Sequence, residues 1–214
     1  MMRRMSYRAL NEARWIIGVL AVCWLATLVL QPLASVVLAL MILFTLYFFR
    51  DPKRVPPADE SLAVAPADGL VVDVFETEET EFLNRKVRRV GIFLSVFDVH
   101  INRTPIAGEV THSEPFTGKY LDARNPESAK VNARRTWVIQ GTRGTIAVRQ
   151  ITGAIARRIC PWKQVGDRLE RGQRFGMIRF GSRTEVDFPL DAEILVKVGD
   201  RVKGGETAVA RLTA

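Results

Sequence analysis

Two textures divide the 214-residue chain. Residues 15–49 carry no charged side chain, and nearly all of them are apolar. A single helix over that stretch would run about 52 Å at 1.5 Å per residue, against a hydrocarbon core of about 30 Å. Gln31-Pro32 interrupts the run, and proline both removes a backbone donor and disfavours helix at the residue before it. The pattern therefore predicts two helices, 15–30 and 33–49, folded as a transmembrane hairpin; the alternative is one tilted or kinked helix. From Ser61 onward the texture becomes short β-type runs split by Gly, Pro and Asp. Runs at 70–75, 90–96, 137–140, 145–151 and 194–198 predict strands, and one short helix is expected near 128–132. The fold expected is mainly β, a barrel-sandwich-like domain preceded by the N-terminal helical hairpin. The expected layout is 1–14 basic N-terminus, 15–49 membrane hairpin, 50–60 linker and 61–214 β-rich domain.

An internal echo strengthens the β reading. Val-Gly-Asp-Arg-Leu-Glu-Arg-Gly from Val165 returns as Val-Gly-Asp-Arg-Val-Lys-Gly-Gly from Val198, 33 residues later. Each copy reads as a turn, a short strand, a glycine turn and another strand, like the paired hammerhead units of lipoyl and biotinyl carrier domains. Gly181-Ser182 lies between the copies.

Charge changes the picture in one respect. The formal net charge is +8. Four arginines (Arg3, Arg4, Arg8, Arg14) against Glu12 give +3 to residues 1–14, and the remaining +5 is spread beyond residue 49. Beside an apolar hairpin, this balance favours an anionic lipid surface over nucleic acid, for which no motif is present. Arginines before the hairpin and Arg50, Lys53 and Arg54 after it place both ends on the cytoplasmic side. A signal peptide is excluded by the length of the run and by the lack of a small-residue cleavage site. Cys23 and Cys160 lie in different textures and imply no disulfide framework.

Few side chains can do acid–base chemistry near neutral pH. The only histidines are His100 and His112. His100 ends the strand-like run 92–100, and His112 reads as an exposed loop residue. Without a nearby carboxylate or cysteine cluster they make no zinc site, and no metal is expected. Asp68 in Pro-Ala-Asp-Gly and Ser182 in Gly-Ser each read as turn residues when taken alone. Ser182 lacks the Gly-x-Ser-x-Gly elbow of hydrolases. Asp, His and Ser in this order can still assemble an orienter, a base and a nucleophile, since such constellations are defined by geometry.

Five segments taken together carry a family resemblance: Phe-Phe-Arg-Asp-Pro-Lys-Arg at 48–54, Pro-Ala-Asp-Gly at 66–69, Phe-Leu-Ser-Val-Phe-Asp-Val-His at 93–100, Gln-Ile-Thr-Gly-Ala-Ile-Ala-Arg-Arg at 150–158 and Arg-Phe-Gly-Met-Ile-Arg-Phe-Gly-Ser-Arg at 174–183. With them the chain resembles phosphatidylserine decarboxylase proenzymes of the short, membrane-anchored kind. The resemblance implies self-cleavage between Gly181 and Ser182, with Ser182 becoming an N-terminal pyruvoyl group, the cofactor of the reaction. It implies that fragments 1–181 and 182–214 stay associated, as one protomer or as a homo-oligomer, and that a membrane phospholipid is the substrate. His100 would return the proton after carbon dioxide leaves, and Asp68 would orient or polarise the processing base. Two departures stand out. Arg103 occupies the place of a second histidine found in longer members, so either His100 serves both steps or Asp68 with water begins the cleavage. Ala133 stands where the family usually has glutamate. The competing reading is a non-enzymatic membrane-tethered adaptor, which explains the hairpin and the echo but not Asp68, His100 and Gly-Ser.

Overall fold

The computed structural model describes residues 8–28, 31–125, 127–154, 158–179 and 182–213. Arg3, Arg4 and Gly181 lie outside the described residues. The chain divides into two compact units, Met1–Pro52 and Lys53–Ala214.

In the first unit, helices α1 (Arg8–Thr27) and α2 (Pro32–Phe48) pack against each other as a hairpin. Pro32 is the first residue of α2, where its missing N–H costs nothing. Helix α1 starts earlier than the uncharged run, with Arg8, Glu12 and Arg14 on its first two turns. It is long and apolar enough to cross a membrane, whereas the 17 residues of α2 fall just short.

The second unit is mainly β. Its first eight strands are β1 (Leu62–Val64), β2 (Gly69–Glu79), β3 (Arg85–Leu94), β4 (Ile101–Arg103), β5 (Gly108–Phe116), β6 (Arg134–Gly141), β7 (Gly144–Thr152) and β8 (Arg158–Pro161), with the one-turn helix α3 (Ser128–Val131) before β6. Strands β9 (Arg168–Leu169), β10 (Arg174–Arg179), β11 (Ser182–Pro189), β12 (Glu193–Ile194), β13 (Arg201–Val202) and β14 (Ala208–Arg211) complete it. Eight strands in the order β13-β2-β3-β11-β7-β6-β5-β9 form an antiparallel sheet that curls into a half-barrel. Two three-stranded sheets, β4-β10-β8 and β1-β14-β12, accompany it. The run expected at 194–198 is strand only through Ile194, because Lys197 and Asp200 close a turn.

The echo is realised in the backbone. Gly166 and Gly199 have φ of 88° and 97°, and Gly172 and Gly205 have φ of 75° and 79°. These left-handed positions favour glycine, which explains why the repeat keeps them. Ser182, between the copies, is not a turn residue: it opens β11, a central strand hydrogen-bonded to β3 on one side and β7 on the other.

Strand β11 has two buried faces of opposite character. Val186 and Phe188 join Trp137, Ile146, Val148 and Phe175 in the hydrophobic core. Arg183, Glu185 and Asp187 point the other way and are at most 5% exposed. There Asp187 takes a two-point ion pair from Arg89 at 2.6 and 2.8 Å, and Arg149 reaches Glu79 at 2.9 Å. Arg183 bonds Glu185 at 2.9 Å and Asp73 on β2 at 2.6 Å. Charges this buried are tolerated because each has partners.

Candidate active site

The register of the large sheet gathers three sequence motifs at one end. Leu70, Phe93, Arg183 and Ile151 form a single row across β2, β3, β11 and β7. Asp68 and Ser182 lie just beyond that row on the same side. With strands about 4.8 Å apart and β3 between them, their backbones are about 10 Å apart. The segment carrying His100 reaches this end through β4: Arg103 donates its N–H to the carbonyl of Pro66 at 2.9 Å, and the carbonyl of His100 accepts from Ile178 at 3.2 Å.

Ser182 is fully buried, and its Oγ has no hydrogen-bond partner among the described residues. A turn serine would face water. Ser182 instead opens β11, pinned between Leu94 and Thr152. A buried hydroxyl without a partner costs about 1–3 kcal/mol, so the position calls for a reason other than stability.

His100 is also fully buried. The strand expected to run through it ends at Leu94, because Asp98 turns the chain: its carboxylate accepts from Ser95 N and Oγ at 2.8 and 2.7 Å. His100 therefore leads into β4 and does not close β3. Its Nδ1 lies 3.0 Å from the carbonyl of Asp98. A carbonyl only accepts, so Nδ1 carries the hydrogen, and a neutral ring would then have its lone pair on Nε2.

Asp68 is held from two sides. Its carboxylate accepts from Arg54 at 2.7 Å and from the N–H of Gly204 at 2.7 Å. Arg54 also bonds Glu206 at 2.8 Å, which lowers that carboxyl below its ordinary range. Arg54, within the stretch 50–60 expected as a linker, is thus bonded to residues of the β unit. Arg171 adds bonds to the carbonyls of Pro57, Asp59 and Leu62.

Sequence reasoning did not single out a buried chain of amides at this end. Trp137 Nε1 donates to Gln150 Oε1 at 2.7 Å, Gln150 Nε2 to Asn102 Oδ1 at 2.8 Å, and Asn102 Nδ2 to Thr184 Oγ1 at 3.1 Å and to the carbonyl of Pro66 at 3.4 Å. A period-two count from His100 to Asn102 and from Ser182 to Thr184 is the signal that could have found it.

The two departures from the family pattern also find places. Arg103 is buried, donating Nη1 to the carbonyl of Gly172 at 3.1 Å and packing its stem on Gly205. Ala133 lies beside the site through its carbonyl, which accepts from Thr152 N and Oγ1 at 3.0 and 2.9 Å. His112 is exposed as expected but sits in β5, its ring against Phe82.

A buried serine, a buried histidine and a pinned carboxylate are carried by segments that the sheets bring to one end. The comparisons give that arrangement a family. A family profile for phosphatidylserine decarboxylase matches residues 41–210. The phosphatidylserine decarboxylase proenzyme of Symbiobacterium thermophilum is 51% identical over 177 residues, covering 82% of each chain. That of Pelobacter propionicus is 46% identical over 179 residues, covering 83% of this chain and 81% of its own. That of Geotalea uraniireducens is 41% identical over 197 residues, covering 90% and 92%. The chain belongs to the phosphatidylserine decarboxylase family, a family of carboxy-lyases.

Proposed function

We propose that this chain is a proenzyme that cuts itself between Gly181 and Ser182, converts Ser182 into a pyruvoyl group and decarboxylates phosphatidylserine to phosphatidylethanolamine. The observation that carries the reading is the buried Ser182 Oγ without a partner among the described residues. A hydroxyl so placed is kept from water and is available to its own peptide bond.

Ser182 Oγ attacks the Gly181 carbonyl, the bond to nitrogen breaks, and the amide becomes an ester. Removal of the Ser182 Cα proton expels the Gly181 carboxylate from Cβ and leaves dehydroalanine. Water then replaces its nitrogen, ammonia leaves, and a pyruvoyl group caps residues 182–214. Once formed, the pyruvoyl carbonyl supplies the electron sink for decarboxylation. His100 Nε2 faces two tasks, taking the Ser182 proton and returning one to the carbon that loses carbon dioxide. Asp68, bonded to Arg54 and Gly204, is the alternative origin of the first proton transfer, through water. Strand β11 stays in its ladder with β3 and β7 after the cut, which keeps the fragments together.

Helix α1 and the arginines around the hairpin support a site held at the cytoplasmic face of the cell membrane. Drawing both acyl tails into water would cost about 0.8 kcal/mol per CH₂ exposed. The test is a denaturing gel of the purified full chain beside Ser182→Ala. Wild type resolves into two fragments and Ser182→Ala into one; cleavage of Ser182→Ala at the same bond sinks the proposal.

A further inference from the structure

We infer that Asn102 is a positioning residue for the Ser182 and His100 chemistry, acting through Thr184; this rests on the function proposed above. Asn102 is fully buried, and its side chain links the segments that carry Asp68 and Ser182. Through Nδ2 it holds Pro66, two residues before Asp68, and Thr184, two residues after Ser182. It is itself two residues after His100. In extended chain, side chains two apart share a face. The Asn102–Thr184 bond at 3.1 Å thus joins the face of β4 that continues to His100 with the face of β11 that continues to Ser182.

The polarity of the chain is fixed at both ends. The Trp137 indole can only donate, so Gln150 Oε1 must accept; the Pro66 carbonyl can only accept, so Asn102 Nδ2 must donate. Gln150 Nε2 to Asn102 Oδ1 at 2.8 Å completes the sequence, and neither amide can flip without losing two bonds. Room for it is built into β10. The pairing with β4 shifts register between Arg174 and Gly176, and Gly176 stands opposite Asn102. A Cβ there would come within 3.1 Å of Gln150 Nε2. Ser182 is pinned along the large sheet by its own ladder, but His100 leads into β4 of a separate three-stranded sheet. The amide chain fixes one sheet over the other, and the distance from imidazole to reacting atoms depends on that offset. Misplacement of about 1 Å can cost 10²-fold in rate.

The test uses the full chain made by cell-free synthesis in detergent, with Asn102→Ala, Thr184→Val, Thr184→Ser and the double Asn102→Ala/Thr184→Val. The rate of fragment appearance is followed on denaturing gels, and kcat and KM are measured on the matured protein. The Tm of each variant is read in a Ser182→Ala background, and Ile139→Ala serves as a destabilised control at the other end of the sheet. Asn102→Ala and Thr184→Val each slow self-cleavage and lower kcat at least tenfold with KM within twofold. Thr184→Ser restores both to within threefold, and the double variant is no slower than the slower single. The inference is overturned if the variants cleave at the wild-type rate, if the two effects multiply, or if Ile139→Ala at equal Tm loss slows cleavage as much. Wild type that cleaves beside variants that cleave equally refutes only the role of Asn102. Folded wild type that stays whole refutes the proposed function and this inference with it.

Discussion

Asp187→Asn probes whether the charged face of β11 holds residues 182–214 in place. Asp187 is fully buried, takes two hydrogen bonds from Arg89 at 2.6 and 2.8 Å, and lies 3.5 Å from Arg149. The substitution keeps the shape but removes a charge, leaving two guanidiniums of a buried cluster to share Glu79 and Glu185. Breaking a buried pair in this way costs about 3–5 kcal/mol. The comparator is Glu76→Gln, whose partner Arg88 sits at 2.8 Å but whose side chain is 59% exposed; screening limits that loss to about 1 kcal/mol or less. Urea unfolding of the full chain in detergent, followed by tryptophan fluorescence, reads both, since Trp137 is fully buried in the β core. With a slope of about 2 kcal/mol per M, Asp187→Asn lowers the midpoint by roughly 1.5–2.5 M and Glu76→Gln by roughly 0.5 M or less. Equal shifts, or a loss below about 1 kcal/mol for Asp187→Asn, refute the reasoning.

Further outcomes are expected at the site and around it. His100→Ala lowers the decarboxylation rate by about 10²–10⁴, measured as carbon dioxide released per matured chain; normal cleavage in the same variant excludes His100 as the processing base. Burial acts to raise the Glu79 carboxyl, but the N–H groups of Leu83, Phe82 and Glu81 and the Arg149 guanidinium outweigh it and hold it below its ordinary value. A depressed carboxyl stabilises the fold above its unfolded pKa and loses that contribution as pH falls through the folded one. Glu79→Gln accordingly flattens the fall of the unfolding midpoint below about pH 4.5, and an unchanged acid profile counts against this. At Gly69 a Cβ would lie 2.1 Å from the carbonyl oxygen of Phe93, a backbone atom that cannot swing away. Gly69→Ala lowers stability by about 1–3 kcal/mol in the same urea assay; a midpoint equal to wild type would show that the approach is looser than described.

What was legible in the sequence follows from how local each feature is. Strands β3 and β7 announce themselves because the apolar runs 90–96 and 145–151 are long enough to outweigh their turns. The echo is legible because Gly166, Gly172, Gly199 and Gly205 need left-handed backbone that few other residues accept. Strand β11 escaped notice because Arg183, Glu185 and Asp187 look like solvent-facing residues. Only their partners on β2, β3 and β7, 110, 98 and 38 residues away, make them interior. The same limit applies at the site. Asp98 ends β3 through a side-chain bond three residues back, a turn that the apolar run at 92–100 conceals. Asn102 and Gln150 are 48 residues apart and carry no charge, so nothing marks them as neighbours before the sheets are packed. Asp68, His100 and Ser182 stood out through the company of their motifs, whereas the Arg54 clamp on Asp68 depends on a chain path that hydropathy does not reveal.

The central claim is that the chain ends and begins again at Ser182, and intact mass under denaturing conditions tests it most directly. Full-length wild-type protein, purified folded in detergent, should give two chains divided between Gly181 and Ser182. The shorter, 182–214, should resist amino-terminal sequencing and be lighter than the unmodified peptide by the mass of one ammonia. A single full-length chain from folded protein, or a 182–214 fragment that keeps its serine and free amine, contradicts the account.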